Sequence, residues 1–372
     1  MNTRPTVCFL VGTMDLFGGA ERVTAVIANG LVQRGWRVHI LSLCSDVSQF
    51  ALDPAIRVEP LFTERPSFKT KYLATVRGIR RYVRAQGIDV LISVDTLLAL
   101  FSLPACVGLP VRQIAWEHCH FDQDLGLRSR RLGRQLAARY FASVVVLTER
   151  DRAQWERGTR PAHPVQVIPN PLPFAMPELG PRERPTVVLA VGRLTRAKGF
   201  DLLLHAWQQV VAAAPAWTLR IVGEGECRAD LEALRDRLGL HDAVSLPGTT
   251  HDIERQYREA GLYCLSSRYE GFGMVLIEAM AYGLPIVSTD CETGPRELLR
   301  DGANALLAPV EDGAALAGRI LRLVADPQLG DRLAAVGAVT ARGYARHAIL
   351  ERWERLLCGI GDASPQPVTA MR

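Results

Sequence analysis

The chain has 372 residues, 48% hydrophobic and 22% charged, with eight cysteines and a net charge of +5. That composition excludes a disordered, collagen-like or disulfide-stapled chain and leaves room for two domains. Charge is uneven: residues 1–172 carry 22 basic against 14 acidic side chains, and the remainder 22 against 25. A basic first half favours an anionic partner such as an inner-membrane surface or a phosphorylated acceptor. Nucleic acid is not expected, because the basic residues are not interleaved with aromatics and no DNA- or RNA-binding signature appears.

In chain order, short apolar runs alternate with helical patterns, which is how parallel α/β sheets read. First-half strands are expected at 6–11, 36–43, 89–93, 113–116, 143–147 and 166–168, with helices such as 20–33 and 73–86 between them. The stretch 96–111 is uncharged but has only 16 residues and holds Pro104 and Pro110. A membrane span needs about 20 apolar residues, so a buried helix is expected there. Prolines at 169, 171, 173, 177, 181 and 185 mark a linker. The pattern then restarts, with strands expected at 186–191, 217–222, 243–246, 262–265, 285–288 and 305–307. A final helix is expected over 341–357, followed by a tail without structure.

These patterns predict an α/β protein: a Rossmann-like domain over 1–170, a linker over 171–185 and a second Rossmann-like domain over 186–340. A C-terminal helix over 341–358 and a disordered tail over 359–372 complete it. Ligands of open α/β sheets bind at the carboxyl ends of strands, so the domains are expected to face each other across a ligand-binding cleft. No secretory signal is read at the start, and the scattered cysteines (8, 44, 106, 119, 227, 264, 291, 358), with no Cys-x-x-Cys pair, point to a reducing, cytoplasmic setting.

The most informative run is Glu270-Gly271-Phe272-Gly273-Met274-Val275-Leu276-Ile277-Glu278-Ala279-Met280-Ala281. Its glycines permit a tight turn, and Met274 onward are good helix formers. Glu270 is therefore expected in a loop and Glu278 on the second turn of a helix. The amides of Gly273, Met274 and Val275 would face an anion at the helix start. A carboxylate beside an anion site suits a ligand carrying both hydroxyls and phosphates, such as a nucleotide-sugar. Arg193 and Lys198 flank an equivalent turn earlier in the same half. Only three lysines (69, 71 and 198) stand against 41 arginines, so a lysine here suggests a phosphate contact. Gly18 and Gly19 offer backbone amides after the first strand, without the dinucleotide Gly-x-Gly-x-x-Gly spacing. His118, in Trp116-Glu117-His118-Cys119-His120, is placed to bond a sugar hydroxyl. As metal ligands His118 and His120 lack a clear third partner, and no metal is expected.

Together, Gly18-Gly19, Arg193…Lys198-Gly199, Glu270-Gly271-Phe272-Gly273…Glu278 and Gly294-Pro295-Arg296-Glu297 resemble the retaining GT-B glycosyltransferases of family four. The resemblance implies two Rossmann-like domains, a nucleotide-sugar donor held mainly by the second, no cofactor or metal, and a C-terminal helix crossing back to the first. It implies that Glu270 bonds the transferred sugar and Glu278 the ribose. Arg193, Lys198, Gly19 and the amides after Gly273 would stabilise the departing diphosphate, with His118 near sugar and acceptor. The run Asp290–Leu298 resembles that of enzymes building bacterial surface polysaccharides, which implies a UDP-sugar donor and a lipid-linked or saccharide acceptor. A GDP-mannose-dependent mannosyltransferase, a nucleotide-sugar epimerase and a non-catalytic nucleotide-sugar-binding subunit remain open alternatives. In this frame, arginines 77, 80, 81 and 84 on one expected helix, and 128, 130, 131 and 134 after Leu125 and Leu127, form a candidate patch for anionic lipid.

Overall fold

The computed structural model describes residues 4–124, 126–178, 180 and 184–362. The chain divides into two compact units: residues 1–173 with 346–372, and residues 174–345.

The first unit is built on a seven-stranded sheet of β1 (Thr6–Val11), β2 (Arg37–Cys44), β3 (Arg57–Phe62), β4 (Val90–Val94), β5 (Arg112–Trp116), β6 (Ser143–Val146) and β7 (Val165–Val167). Its order is β3-β2-β1-β4-β5-β6-β7, parallel throughout. Strands covered on both faces must be apolar along their whole length, and every residue of β1 and β4 is buried. β3 was not expected from the sequence. It carries Pro60, which lacks a ladder donor, and it is only half-buried, as suits an edge strand. The uncharged stretch forms a 3-10 turn (Thr96–Leu98) and a short helix (Ala99–Cys106) that contains Pro104.

The second unit holds a six-stranded parallel sheet: β8 (Val187–Val191), β9 (Thr218–Val222), β10 (Val244–Gly248), β11 (Leu262–Leu265), β12 (Ile286–Thr289) and β13 (Leu306–Ala308), in the order β10-β9-β8-β11-β12-β13. Leu203, Leu204 and Trp207 of the helix Phe200–Ala213 share its core with Ile320 and Leu323 of the helix Gly313–Ala325.

The last helix expected over 341–358 is Arg346–Asp362, which starts five residues later than expected. Pro327–Arg342 ends within the second unit, Gly343 to Ala345 turn, and Arg346–Asp362 begins afresh within the first. Gly343 N bonds Thr340 O and Tyr344 N bonds Ala341 O, so i→i−3 closure interrupts the helical ladder. The apolar side of Arg346–Asp362 packs into the first unit: Ile349, Trp353 and Leu357 are fully buried, and the Trp353 ring lies edge-on to Trp116 at 4.8 Å. Residues 359–362 of the expected tail are helical, and 363–372 lie outside the described residues.

Candidate active site

In an open parallel sheet the loops leaving two neighbouring strands diverge where the strand order reverses, and ligands bind there. In the second sheet that point lies between β8 and β11. The loop after β8 supplies Lys198 and the loop after β11 supplies Glu270, and Lys198 Nζ donates to Glu270 Oε1 at 2.6 Å. The carboxylate is 7% exposed and the ammonium 21%. Ser267 Oγ donates to the same oxygen at 2.6 Å, and Thr293 Oγ1, from the loop after β12, donates to the Glu270 carbonyl at 2.5 Å. Ser267 is braced in turn, its carbonyl accepting from Thr289 Oγ1 at 2.6 Å and Cys291 Sγ at 2.9 Å. Three strand ends thus fix one carboxylate beside one ammonium.

Next in the chain, Gly273 sits at φ +82° and opens the helix Met274–Ala281, as the spacing predicted. A side chain at that φ is strained. Leu276 N already bonds Gly273 O at 2.8 Å, which leaves the half-buried Met274 and Val275 amides ahead of the first helical bond. They add the partial positive charge of a helix start. Glu278 lies on the second turn, 1% exposed, and accepts from Tyr257 Oη at 3.1 Å. Arg193 is apart from this cluster in character: its side chain is 74% exposed and reaches Glu226 at 3.3 Å.

Gly18, Gly19 and His118 belong to the first unit. Gly18 caps the helix Gly19–Gln33 after β1, and Arg22 N bonds its carbonyl at 3.1 Å. His118 follows β5, half-buried against the Trp116 ring at 4.5 Å. Its Nε2 has no hydrogen-bond partner among the described residues, and burial pushes its pKa down to about 3. The imidazole is therefore neutral, able to accept or donate one hydrogen bond from that nitrogen. Behind it, Glu117 is held by Thr96 Oγ1 (2.6 Å), Arg134 Nε (3.1 Å) and Arg130 Nη1 (3.4 Å).

This ion cluster corrects the expected lipid-facing patch. Arg130 and Arg134 are 5% and 2% exposed and turn inward to Glu117, because a buried carboxylate needs paired donors. Leu125 lies outside the described residues. Missed by sequence reasoning were Ser267, the buried partner Tyr257 and the ionic role of Glu117. Tyr257 and Glu117 bond partners 21 residues away, and Thr289 and Cys291, which brace Ser267, stand 22 and 24 away, so no local spacing signals these contacts. Among the described residues no cluster of three or more His, Cys, Asp or Glu side chains is placed to hold a metal ion.

Comparison with known proteins identifies the fold and the family. Residues 17–175 match the Glycosyltransferase Family 4 model and residues 173–338 match Glycosyl transferases group 1. An uncharacterized glycosyltransferase of Haemophilus influenzae is 31% identical over 350 residues, covering 94% of this chain and 99% of that protein. A Campylobacter jejuni enzyme, GalNAc-alpha-(1->4)-GalNAc-alpha-(1->3)-diNAcBac-PP-undecaprenol alpha-1,4-N-acetyl-D-galactosaminyltransferase, is 25% identical, covering 96% and 99%. The Anabaena HepE structure, solved with UDP and glucose, shares the fold with a TM-score of 0.79 and 22% identity, covering 95% and 99%. Two parallel Rossmann-like units, a last helix returning to the first, and a relative this similar over its whole length place the chain among the GT-B glycosyltransferases, enzymes that move a sugar from a nucleotide-sugar donor to an acceptor.

Proposed function

We propose that the protein is a retaining, metal-independent hexosyltransferase that takes a hexose from a UDP-sugar and delivers it to a lipid-linked or saccharide acceptor of a bacterial surface polysaccharide. The observation that carries this reading is the Lys198–Glu270 pair at the β8/β11 switch point, beside the helix start at Met274 and Val275. As the sugar C1–O bond breaks, the diphosphate gains charge. A fixed ammonium and aimed amides lower that barrier without a cation having to be recruited. Glu270, held from three strand ends, is placed to bond hydroxyls of the transferred sugar, and Glu278 to bond the ribose. The acceptor oxygen forms its bond to C1 on the face the diphosphate leaves, and its proton passes to the departing phosphate oxygen. That route needs no protein base. Neutral His118 then acts as a hydrogen-bond partner rather than a proton carrier. Arg193, Gly18 and Gly19 are assigned a supporting part at the diphosphate.

The UDP and glucose bound in the HepE structure support the UDP choice, and the undecaprenyl diphosphate acceptor in the name of the Campylobacter relative supports a lipid-linked one. A membrane-facing element fits the helix Phe68–Gln86, which contains no acid and exposes Tyr72, Leu73, Lys71, Arg77, Arg81 and Arg84. Arg80 on that helix is instead pinned to the Ala105 and Val107 carbonyls at 2.9 and 2.7 Å. Among the described residues no helix is long and apolar enough to cross a membrane. Eight free cysteines fit a cytoplasmic site of action.

The test is transfer from UDP-, GDP- and ADP-sugars to undecaprenyl-diphosphate-linked saccharides in EDTA, with NMR of the new anomeric centre. Transfer from a UDP-sugar with retained configuration is expected. Inversion, a requirement for added metal or a GDP-sugar preference would each overturn the corresponding part. Silence across all donors would overturn the whole.

A further inference from the structure

The turn that carries Lys198 is a single 3-10 turn, Arg196–Lys198, with no side-chain cap of its own. What holds it is the strand-exit segment Ser266–Arg268. The three carbonyls of the turn are each taken by this segment: Arg268 Nη1 bonds Arg196 O at 2.8 Å, Arg268 N bonds Ala197 O at 2.8 Å, and Ser266 Oγ bonds Lys198 O at 2.9 Å. The two backbones are in direct contact, since a Cβ added to Gly199 would collide with Ser266 O.

The Arg268 guanidinium spends all five N–H donors. Besides Arg196 O, it grips Asp201 through Nη1–Oδ1 at 2.7 Å and Nη2–Oδ2 at 2.8 Å. It also grips Glu311 through Nε–Oε1 at 2.6 Å and Nη2–Oε2 at 3.1 Å. Two bidentate carboxylates fix the plane of the guanidinium, a geometry an ammonium cannot reproduce. Glu311 adopts φ +65°, a region a glutamate occupies only when neighbours hold it there. Asp201, in the first turn of the helix Phe200–Ala213, is held below the usual carboxylate range, first by its hydrogen bonds from Arg268.

We propose that Arg268 is a positioning residue for sugar transfer: its guanidinium, oriented by Asp201 and Glu311, locks the turn that presents Lys198 to the departing diphosphate. Lys198 acts mainly on charge that develops as the donor breaks, so misplacing it lowers turnover more than donor binding. A second consequence is electrostatic. Without the guanidinium, two unpaired carboxylates would stand next to the phosphate-binding turn.

The kinetic part of this proposal rests on the sugar-transfer reading; its structural part does not. Amide hydrogen exchange on the unliganded full-length protein therefore comes first. In Arg268→Gln and in Arg268→Lys, amides 196–199 are expected to exchange about tenfold faster or more, with the rest of the second unit unchanged. In steady-state assays, kcat is expected to fall about 10- to 100-fold, with donor KM within about threefold of wild type. Lysine should not rescue, and Asp201→Asn, which keeps the arginine but frees its fork, should give an intermediate loss. Adding Asp201→Asn and Glu311→Gln to Arg268→Gln, which removes the two stranded carboxylates, should not recover the turnover. Unchanged exchange at 196–199, full rescue by lysine, or a kcat that merely tracks the folded fraction in a thermal melt would each overturn the assignment. If the wild type transferred no sugar, the exchange result would still decide the locking role.

Discussion

At the scale of single residues, the proposed reaction makes the ammonium of Lys198, paired with Glu270, the first charge to test. Lys198→Ala is expected to lower kcat about 10²- to 10³-fold, the loss typical of one preorganised donor to a developing anion, read in steady-state kinetics with a saturating donor. Glu270→Gln keeps the size but loses the ion pair, and a comparable loss is expected. A variant of either kind that keeps full turnover would remove the residue from the site. Asp151 makes a separate prediction. It accepts from Phe121 N at 2.8 Å, and burial pushes its pKa up to about 7 from an ordinary 3.8. The folded state therefore favours the protonated carboxyl, whose contribution is full below about pH 4 and is lost as pH rises to 7. Asp151→Asn carries no charge to bury. Its stability relative to wild type should rise across that window by about 3–4 kcal/mol, at about 1.36 kcal/mol per pKa unit, in urea melts at several pH values. A flat difference would show that the carboxylate is ionised in the fold.

At the scale of elements, the turn into Met274–Ala281 opens on a left-handed residue, at the amides the proposed function uses. Gly273→Ala places a Cβ 3.1 Å from Leu276 Cδ1 at a left-handed φ. It should cost about 1–2 kcal/mol of stability. The same substitution re-aims the Met274 and Val275 amides, so turnover should drop about tenfold or more. Equal melts and equal kcat would show the turn to be indifferent. This turn was legible in the sequence because glycines followed by apolar helix formers are a local signal. So were twelve of the thirteen strands among the described residues, read from runs of three to eight largely apolar residues. β3 escaped because Pro60 and half-buried edge residues blur that pattern, and the break at Gly343 escaped because apolar spacing continues through it into Trp353. Glu270, Lys198 and Glu278 were nameable individually. The clamp of Arg268 on Asp201 and Glu311 was not, since its partners stand 67 and 43 residues away and only the sheet order brings them together.

At the scale of the whole molecule, the first unit is assembled from both ends of the chain. Gly30 meets Leu350 so closely that an added Cβ would collide with its side chain, and Glu354 joins Arg34 at 2.5 Å and Trp36 Nε1 at 2.9 Å. Burying Ile349, Trp353 and Leu357 contributes about 1.5–3 kcal/mol each, a large share of a domain's net stability. Ending the chain at Ala345 should therefore unfold the first unit while residues 174–345 survive as a protease-resistant fragment; survival of both units would refute it. The same arrangement sets an order of events on the ribosome. After residue 173 emerges, the first sheet must wait for about 170 further residues before its last helix exists. At 5–20 residues per second that is a delay of roughly 10–30 s, long enough for the second unit to fold first. The first unit is thus completed after the second, and until its last helix is made Trp116 lacks its contact with Trp353 and Trp36 its bond to Glu354.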